Sequence, residues 1–173
     1  MALAYFYFDG SDQDKQTDEN LLSSLVLTFT AKAGKYSLLQ NLYQKHNQLH
    51  KPTVSELMDV LMTLVGVFKE TYIVIDALDE CCQFDEVSNI IANILGWKLP
   101  NCHLLVTSRR EKHILDALYQ YLPAEVVLSK KRVHNDIALY TRETVRKVQQ
   151  FKRWDKGLEK TITRKLVKKS GGM

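Results

Sequence analysis

The sequence predicts an α/β fold built around a parallel β-sheet. Short apolar runs alternate along its 173 residues with longer amphipathic segments, as strands alternate with helices in this fold class. Two of the short runs, Ile73-Val74-Ile75 and Leu104-Leu105-Val106, are apolar at every position. Such runs are typical of parallel strands because helices cover both faces of the sheet. We therefore expect helices on both sides, in a three-layer arrangement.

The individual elements follow from hydrophobic periodicity and from residues that start or stop helices. Pro52 and Thr53 separate two helices, because proline cannot continue a helix and threonine caps the start of one. We expect strands at Leu3 to Phe8, Tyr72 to Asp76, Cys102 to Thr107 and Glu125 to Leu128. We expect helices near Asp18 to Lys32, Tyr36 to His50, Ser55 to Phe68, Asp85 to Leu95 and Glu111 to Tyr121.

The charge of the chain is distributed unevenly. Residues 1–129 carry 10 Lys and Arg against 16 Asp and Glu, a balance of −6, whereas residues 130–173 carry 14 against 4, a balance of +10. We therefore divide the chain into an α/β core, residues 1–129, and a basic C-terminal helical segment, residues 130–173. Apolar residues of the basic segment recur at helical spacing in two stripes: Ile137, Tyr140, Thr144, Val148 and Phe151, then Trp154, Leu158, Ile162 and Leu166.

Charge and composition limit the classes of function. A basic segment can bind nucleic acid or an acidic membrane, but two amphipathic helices with solvated basic faces explain the same charges without a ligand, and we favour that interpretation. No apolar run approaches the roughly 20 residues that span a bilayer, and no signal peptide is recognisable. The three cysteines fit neither a disulfide framework nor a zinc spacing. We expect a cytoplasmic protein without a membrane span.

Three carboxylates follow the predicted strand that ends at Asp76. The run from Tyr72 to Glu80 is an apolar strand succeeded by Asp76, Asp79 and Glu80. A carboxylate at the end of a parallel strand can hold Mg²⁺, directly or through water, so we assign the metal to Asp76. Asp79 and Glu80 lie one turn further on, where they can orient or deprotonate an attacking water. The alternative is an acidic helix start that the helix dipole stabilises.

The next predicted strand ends in polar and basic residues. Leu104 to Val106 is followed by Thr107-Ser108-Arg109-Arg110. The carboxyl ends of parallel strands meet at one edge of a sheet, so we expect this segment to lie near the three carboxylates. Arg109 can then sense a terminal phosphate, with Ser108 as a second nucleotide contact. The alternative is a surface arginine before the helix that begins near Glu111.

The two segments together resemble a known family. Tyr72 to Cys81 is similar to the Walker B motif of NACHT-type NTPases, which are signal-transducing P-loop ATPases with numerous domains. His103 to Glu111 resembles their sensor 1 motif. The opening strand, Ala4 to Asp9, resembles the region after the P-loop helix in the nephrocystin-like subgroup common in fungi. Further similar stretches are Lys15-Gln16-Thr17, Leu21 to Leu27, Asp136-Ile137 with Tyr140, and Lys168 to Met173.

The resemblance implies a P-loop NTPase fold and an ATP-dependent signalling switch. It implies Mg²⁺ and ATP as cofactors, with ATP preferred over GTP, and it supports the roles assigned to Asp76, Asp79, Glu80 and Arg109. In the family, the nucleotide domain joins an effector domain to a repeat sensor. Those flanking domains are therefore the implied partners.

The phosphate-binding half of such a site is not found in this sequence. It contains no Gly-x-x-x-x-Gly-Lys-Ser/Thr, and neither Gly10 nor Gly34-Lys35 has the required surroundings. We therefore expect a fragment of a switch, with an incomplete sheet whose open edges favour self-association. It would bind and slowly hydrolyse nucleotide only when a P-loop is supplied. The alternatives are a non-enzymatic remnant or protein-interaction module, and nucleic-acid binding through the basic segment.

Overall fold

The computed structural model describes residues 1–45, 50–119, 121, 124–128, 130–148, 151, 154 and 156–169. The chain divides into two compact units, residues 1–123 and residues 124–173. The first unit has α/β architecture and carries all the predicted site residues. The second unit is helical.

A three-stranded parallel sheet forms the centre of the first unit. Its strands lie side by side in chain order: β1 at Ala2–Tyr7, β2 at Thr71–Asp76 and β3 at Cys102–Val106. Ile75 of β2 lies beside Phe6 on one side and Val106 on the other. The ends of the three strands therefore meet at one edge of the sheet, which we call the carboxyl edge. The predicted α/β fold with a parallel sheet is confirmed.

Helices connect the strands. The described residues of the first unit form α1 at Asp18–Ala33, α2 at Tyr36–Lys45, α3 at Val54–Val67, α4 at Phe84–Gly96 and α5 at Lys112–Leu118. Each begins within one residue of its predicted start. The predicted continuation of α2 through residues 46–49 lies outside the described residues. Short 3₁₀ turns follow β1 at Gln13–Lys15 and β2 at Leu78–Glu80.

Capping residues explain where α1 and α3 begin and where α1 ends. The Thr17 hydroxyl accepts a hydrogen bond from the backbone N–H of Asn20 at the start of α1. Thr53 and Glu56 form a reciprocal capping box, in which the Thr53 N–H donates to Glu56 Oε2 at 2.9 Å. Gly34 follows α1 with φ of 65°, a left-handed conformation that glycine adopts without steric cost.

The hydrophobic core lies on one face of the sheet. Alternate strand residues such as Phe6 and Ile75 are buried in one cluster with side chains of α1, α3 and α4. Phe29 of α1 is fully buried there and packs against Phe68, with 5.9 Å between the ring centroids. This packing fixes α1 against the segment that joins α3 to β2.

The opposite face of the sheet is exposed. It carries Tyr5 of β1, Tyr72 of β2 and Leu105 of β3, with 64%, 39% and 58% of their surfaces accessible. The expected covering of both faces, and with it the three-layer arrangement, is not found among the described residues of the first unit. A continuous apolar run indicates a parallel strand, but it does not report whether a second helical layer is present.

The strand predicted at Glu125 to Leu128 is not formed. These residues have no regular secondary structure, and Val126, Val127 and Leu128 are exposed. β-propensity reflects packing against neighbouring strands, so a favourable composition alone does not make a strand. Among the described residues, the sheet ends at β1 and β3.

The second unit contains the two helices expected for the basic segment, α6 at Lys130–Lys147 and α7 at Lys156–Lys169. Arg146 Nη2 of α6 lies 3.5 Å from Glu159 Oε1 of α7. Six of the nine residues in the predicted stripes, among them Ile137, Thr144 and Ile162, are half-buried, whereas Tyr140, Leu158 and Leu166 are exposed. The neighbouring residues Thr141, Val145 and Thr163 are buried. Burial of Thr163 is possible because its hydroxyl donates to the Glu159 carbonyl at 2.9 Å.

Within the described part of the chain, none of the helices has the length and apolarity needed to cross a membrane.

Candidate functional site at the carboxyl edge

A tight turn after β2 places Asp76 at the carboxyl edge. Asp76 is the last residue of β2, and Ala77 then adopts a left-handed conformation with φ of 55°. This conformation is uncommon for a residue other than glycine. Hydrogen bonds to Thr107 stabilise it: the Ala77 N–H donates to Thr107 Oγ1 at 3.1 Å, and the Leu78 N–H donates to the Thr107 carbonyl at 3.0 Å.

Thr107 connects the ends of β2 and β3. Its hydroxyl donates to Asp76 Oδ1, and its backbone N–H donates to the Ile75 carbonyl at 2.9 Å. Thr107 is absent from the predicted site residues. The register could have revealed it, because Ile75 pairs with Val106 and the following residues, Asp76 and Thr107, are then neighbours. Thr107 therefore fixes the orientation of the Asp76 carboxylate.

Asp79 is held by the segment that follows β3. Its Oδ1 accepts hydrogen bonds from the backbone N–H of Arg109 at 2.8 Å and from the Ser108 hydroxyl at 3.3 Å. Its Oδ2 lies 3.2 Å from Arg109 Nε. Only 5% of the Asp79 side chain is exposed. Both carboxylate oxygens of Asp79 thus contact Arg109, and Oδ1 also contacts Ser108, so Asp79 positions these two residues.

Glu80 links the carboxyl edge to the loop between β1 and α1. Its Oε2 accepts a hydrogen bond from the backbone N–H of Gly10 at 2.9 Å, and its Oε1 lies 3.8 Å from Arg109 Nη2. The Gln16 side-chain amide donates to the carbonyl oxygens of Gly10 and Asp9, at 2.9 and 3.2 Å. Gly10 and Gln16 lie far from Glu80 in the sequence, so no local pattern pointed to this connection.

The predicted site residues share one edge but do not form a single carboxylate cluster. Among the described residues, no three His, Cys, Asp or Glu side chains are arranged to hold a metal ion. Asp76 is exposed, and Thr107 uses only one of its carboxylate oxygens. Mg²⁺ at nucleotide sites is commonly held by one or two carboxylates together with phosphate and water oxygens. The residues present therefore fit Mg²⁺ held through the single carboxylate of Asp76.

Two adjacent cysteines follow the acidic turn. Cys81 is half-buried, and burial raises the pKa of its thiol to about 11. Cys82 is exposed, and its thiol donates to the Gln16 carbonyl at 3.1 Å. Because the thiolate is the reactive form, a raised pKa makes Cys81 a slow nucleophile at neutral pH.

We predict that iodoacetamide modifies Cys82 well before Cys81 at about pH 8, and that the rate at Cys81 rises about tenfold per pH unit until its pKa is reached. Peptide mass spectrometry after timed labelling measures both rates. Cys102, also half-buried and with a pKa raised by burial, serves as a second slow thiol. Equal rates at Cys81 and Cys82 in the folded chain would contradict the described environment.

The geometry defines an α/β protein whose polar residues converge at the carboxyl edge of a three-stranded parallel sheet. The family model described as Nephrocystin 3, N-terminal, matches residues 1–109, which is more than half of the 173-residue chain. The chain belongs to this nephrocystin 3 N-terminal family. No curated protein and no solved structure matches it. The matched range runs from β1 to Arg109 and includes all the predicted site residues.

Proposed function

We propose that this chain supplies the Walker B and sensor 1 parts of a NACHT-type signalling switch, which binds and slowly hydrolyses ATP once a phosphate-binding loop is provided. The supporting observation is the carboxyl edge, where the exposed Asp76 carboxylate and the Arg109 guanidinium come from the ends of neighbouring strands. A carboxylate for the metal and a cation for the phosphate are two of the parts that such a site requires, beside the phosphate-binding loop.

Asp76 is the residue proposed to hold Mg²⁺. The hydrogen bond from Thr107 engages Oδ1 of this exposed carboxylate, so Oδ2 is the oxygen proposed to bind the metal. A bound Mg²⁺ would neutralise phosphate charge that the surrounding carboxylates would otherwise repel. Thr107 acts as a positioning residue in this proposal, because it orients Asp76.

We propose separate roles for Asp79 and Glu80, which were both expected to serve hydrolysis. Asp79 is nearly buried and is bound to the backbone and side chain of Arg109, so it is proposed to position that arginine. Glu80 is 35% exposed and lies 3.8 Å from Arg109, so it is the better candidate for orienting water. An arriving terminal phosphate would compete with Glu80 for the Arg109 guanidinium, while Asp79 keeps its backbone contact.

The metal assignment is tested with Mn²⁺ as a paramagnetic substitute for Mg²⁺. In ¹H–¹⁵N spectra of the chain, we expect Mn²⁺ to broaden the amides of Ala77, Leu78 and Thr107 selectively. The Asp76→Asn variant should lose this broadening, because it removes the charged oxygen ligand. Asp59→Asn is the matched control, since Asp59 is an exposed carboxylate of α3 away from the carboxyl edge.

Broadening that is absent from the wild type, or unchanged in Asp76→Asn, would refute the metal assignment and favour a protein-interaction module without nucleotide binding.

A titration with magnesium-ATP addresses the nucleotide directly. We expect weak binding, because the backbone amides and lysine of a P-loop normally supply most of the phosphate attraction. Tight binding that Asp76→Asn abolishes would exclude the non-enzymatic alternative.

The remaining parts of the proposal concern the whole protein. Residues 1–129 are proposed to be the partial nucleotide-binding core, and residues 130–173 the start of the helical lid region, with effector and repeat domains as flanking partners.

Nucleic-acid binding by the basic helices is the weaker alternative. It requires an affinity for DNA or RNA that falls steeply with salt, and a salt-independent or absent response would exclude it.

A further inference from the structure

A groove runs between the edge strand β1 and the helix α1. Leu3, Tyr5 and Tyr7 line it on the strand side, and Ser24, Thr28 and Lys32 line it on the helix side, enclosing about 470 Å³. The three helix residues are spaced four apart and form one stripe, which spans about 12 Å at the α-helical rise. The three strand residues span about 13 Å at the rise of a parallel strand. The β1–α1 groove therefore has the length of roughly five extended residues.

The strand side of the β1–α1 groove offers backbone hydrogen-bonding groups. Ala2 and Phe8 donate their N–H groups to carbonyls of Glu70 and Asp76, at 2.8 and 3.0 Å, so the even-numbered residues of β1 face β2. In a parallel strand the intervening residues direct both N–H and C=O toward the opposite side. Leu3, Tyr5 and Tyr7 thus present these groups to the groove, and no described residue pairs with them.

Both charged side chains that line the β1–α1 groove are positive. Lys32 lies in the last turn of α1, beside the start of β1, whereas Lys15 lies near the end of β1 with its ammonium 4.4 Å from the Tyr7 ring centre. They mark opposite ends of the groove. Lys15 also forms an exposed ion pair with Asp12, at 3.2 Å between Nζ and Oδ2, so a carboxylate that arrives at this end of the groove would compete with Asp12. Between the lysines, Tyr5 provides an exposed aromatic surface.

We propose that the β1–α1 groove binds an extended acidic peptide by strand addition to β1. The backbone of the peptide would pair with Leu3, Tyr5 and Tyr7, two acidic side chains four residues apart would reach Lys15 and Lys32, and an apolar side chain between them would lie against Tyr5. Main-chain pairing provides affinity in this mode of recognition, and the side-chain positions provide specificity. The proposal does not depend on nucleotide binding at the carboxyl edge.

Charge complementarity selects this occupant over a second copy of the chain. If two copies paired antiparallel through β1, Lys15 of one copy would approach Lys32 of the other, and the Asp12 carboxylate that lies 3.2 Å from Lys15 would have to be shared between the two lysines. An acidic peptide brings a carboxylate of its own to each end, one for Lys32 and one that competes with Asp12 for Lys15. Binding of such a peptide also requires no part of the chain outside the groove.

The test uses the complete chain and a fluorescein-labelled peptide of sequence Gly-Glu-Thr-Val-Thr-Glu, amidated at its C-terminus. Fluorescence anisotropy should show saturable binding, and hydrogen exchange should slow at the Leu3, Tyr5 and Tyr7 amides when the peptide is bound. Lys15→Ala and Lys32→Ala should each weaken binding about two- to fivefold, as expected for exposed ion pairs. Lys112→Ala, an exposed lysine of α5 outside the groove, should leave the affinity unchanged.

Further variants separate backbone pairing from charge. Two versions of the peptide carry N-methyl groups on alternate residues. In one version the methyl groups replace the backbone N–H donors that face β1, and in the other they replace the N–H groups that face away. We expect only the first version to lose affinity, by about tenfold or more. Thr28→Glu should weaken binding more than Thr28→Gln, which has the same size without the charge.

Three outcomes would overturn the proposal. The first is equal binding of a peptide in which lysine replaces glutamate. The second is unchanged exchange at Leu3, Tyr5 and Tyr7 in the presence of bound peptide. The third is dimerisation of the free chain that protects these same amides, which would assign the groove to a second copy.

Discussion

Replacing Asp79 with alanine is expected to lower the free energy of unfolding of the first unit by about 2–3 kcal/mol. Asp79 is almost fully buried, and it accepts charge-assisted hydrogen bonds from the Arg109 backbone, the Arg109 guanidinium and Ser108. Its removal leaves the Arg109 N–H without its acceptor and releases the segment after β3 from the turn after β2. Asp79→Asn keeps one acceptor oxygen, so we expect it to cost about half as much.

The measurement is urea unfolding followed by tryptophan fluorescence. The chain contains two tryptophans, Trp97 in the first unit and Trp154 in the second, so a Trp154→Phe background makes the signal specific to the first unit. Asp59→Ala is the matched control, since an exposed carboxylate should change stability by no more than about 0.5 kcal/mol. A midpoint for Asp79→Ala equal to that of the control would show that the Asp79–Arg109 contact contributes nothing to stability.

The sheet could be predicted from the sequence because its strands carry their own signals. Continuous apolar runs end in charged or polar residues at Asp76 and Thr107, and these boundaries agree with the structure to within one residue. The segment from Glu125 to Leu128 carries a similar local signal, yet no strand forms there. Its residues have β-propensity, but pairing depends on a neighbour that composition cannot supply.

The convergence of residues at the carboxyl edge was also predictable, but the contacts among them were not. Parallel strands bring their ends together whatever the side chains are, so Asp79 and Arg109 were expected to be neighbours. Sequence spacing does not reveal that Asp79 is nearly buried against Arg109 or that Glu80 reaches Gly10. Those contacts depend on how the loop between β1 and α1 folds over the edge, which is decided by tertiary packing.

That loop relates the carboxyl edge to the β1–α1 groove. It begins at the end of β1, includes Gly10, Lys15 and Gln16, and ends at the cap of α1. Gly10 is bonded to Glu80 at the edge, whereas Lys15 stands at one end of the groove. A displacement of the loop would therefore alter both surfaces at once. The position of α1, which is set by its buried residues, controls where this loop can lie.

Replacing Phe29 with alanine is expected to have the largest effect on the first unit, about 3–5 kcal/mol of lost stability. Phe29 is fully buried and contacts Phe68 at the end of α3, so its removal opens a cavity between the two helices. Small domains are stabilised by only about 5–15 kcal/mol, and the exposed second face of this sheet places the unit at the low end of that range. We expect Phe29→Ala to keep only about 0–2 kcal/mol of stability, so it should unfold at a much lower urea concentration than the unchanged chain.

Leu27→Ala separates loss of packing from a change in helix propensity. Leu27 lies two residues away on α1 and is exposed, so replacing it with alanine removes little buried surface and should change stability by no more than about 0.5 kcal/mol. Unfolding followed through Trp97 in the Trp154→Phe background reports on both variants. If Phe29→Ala unfolded at the same urea concentration as Leu27→Ala, the buried face of α1 would contribute no more to the stability of the first unit than its exposed face does.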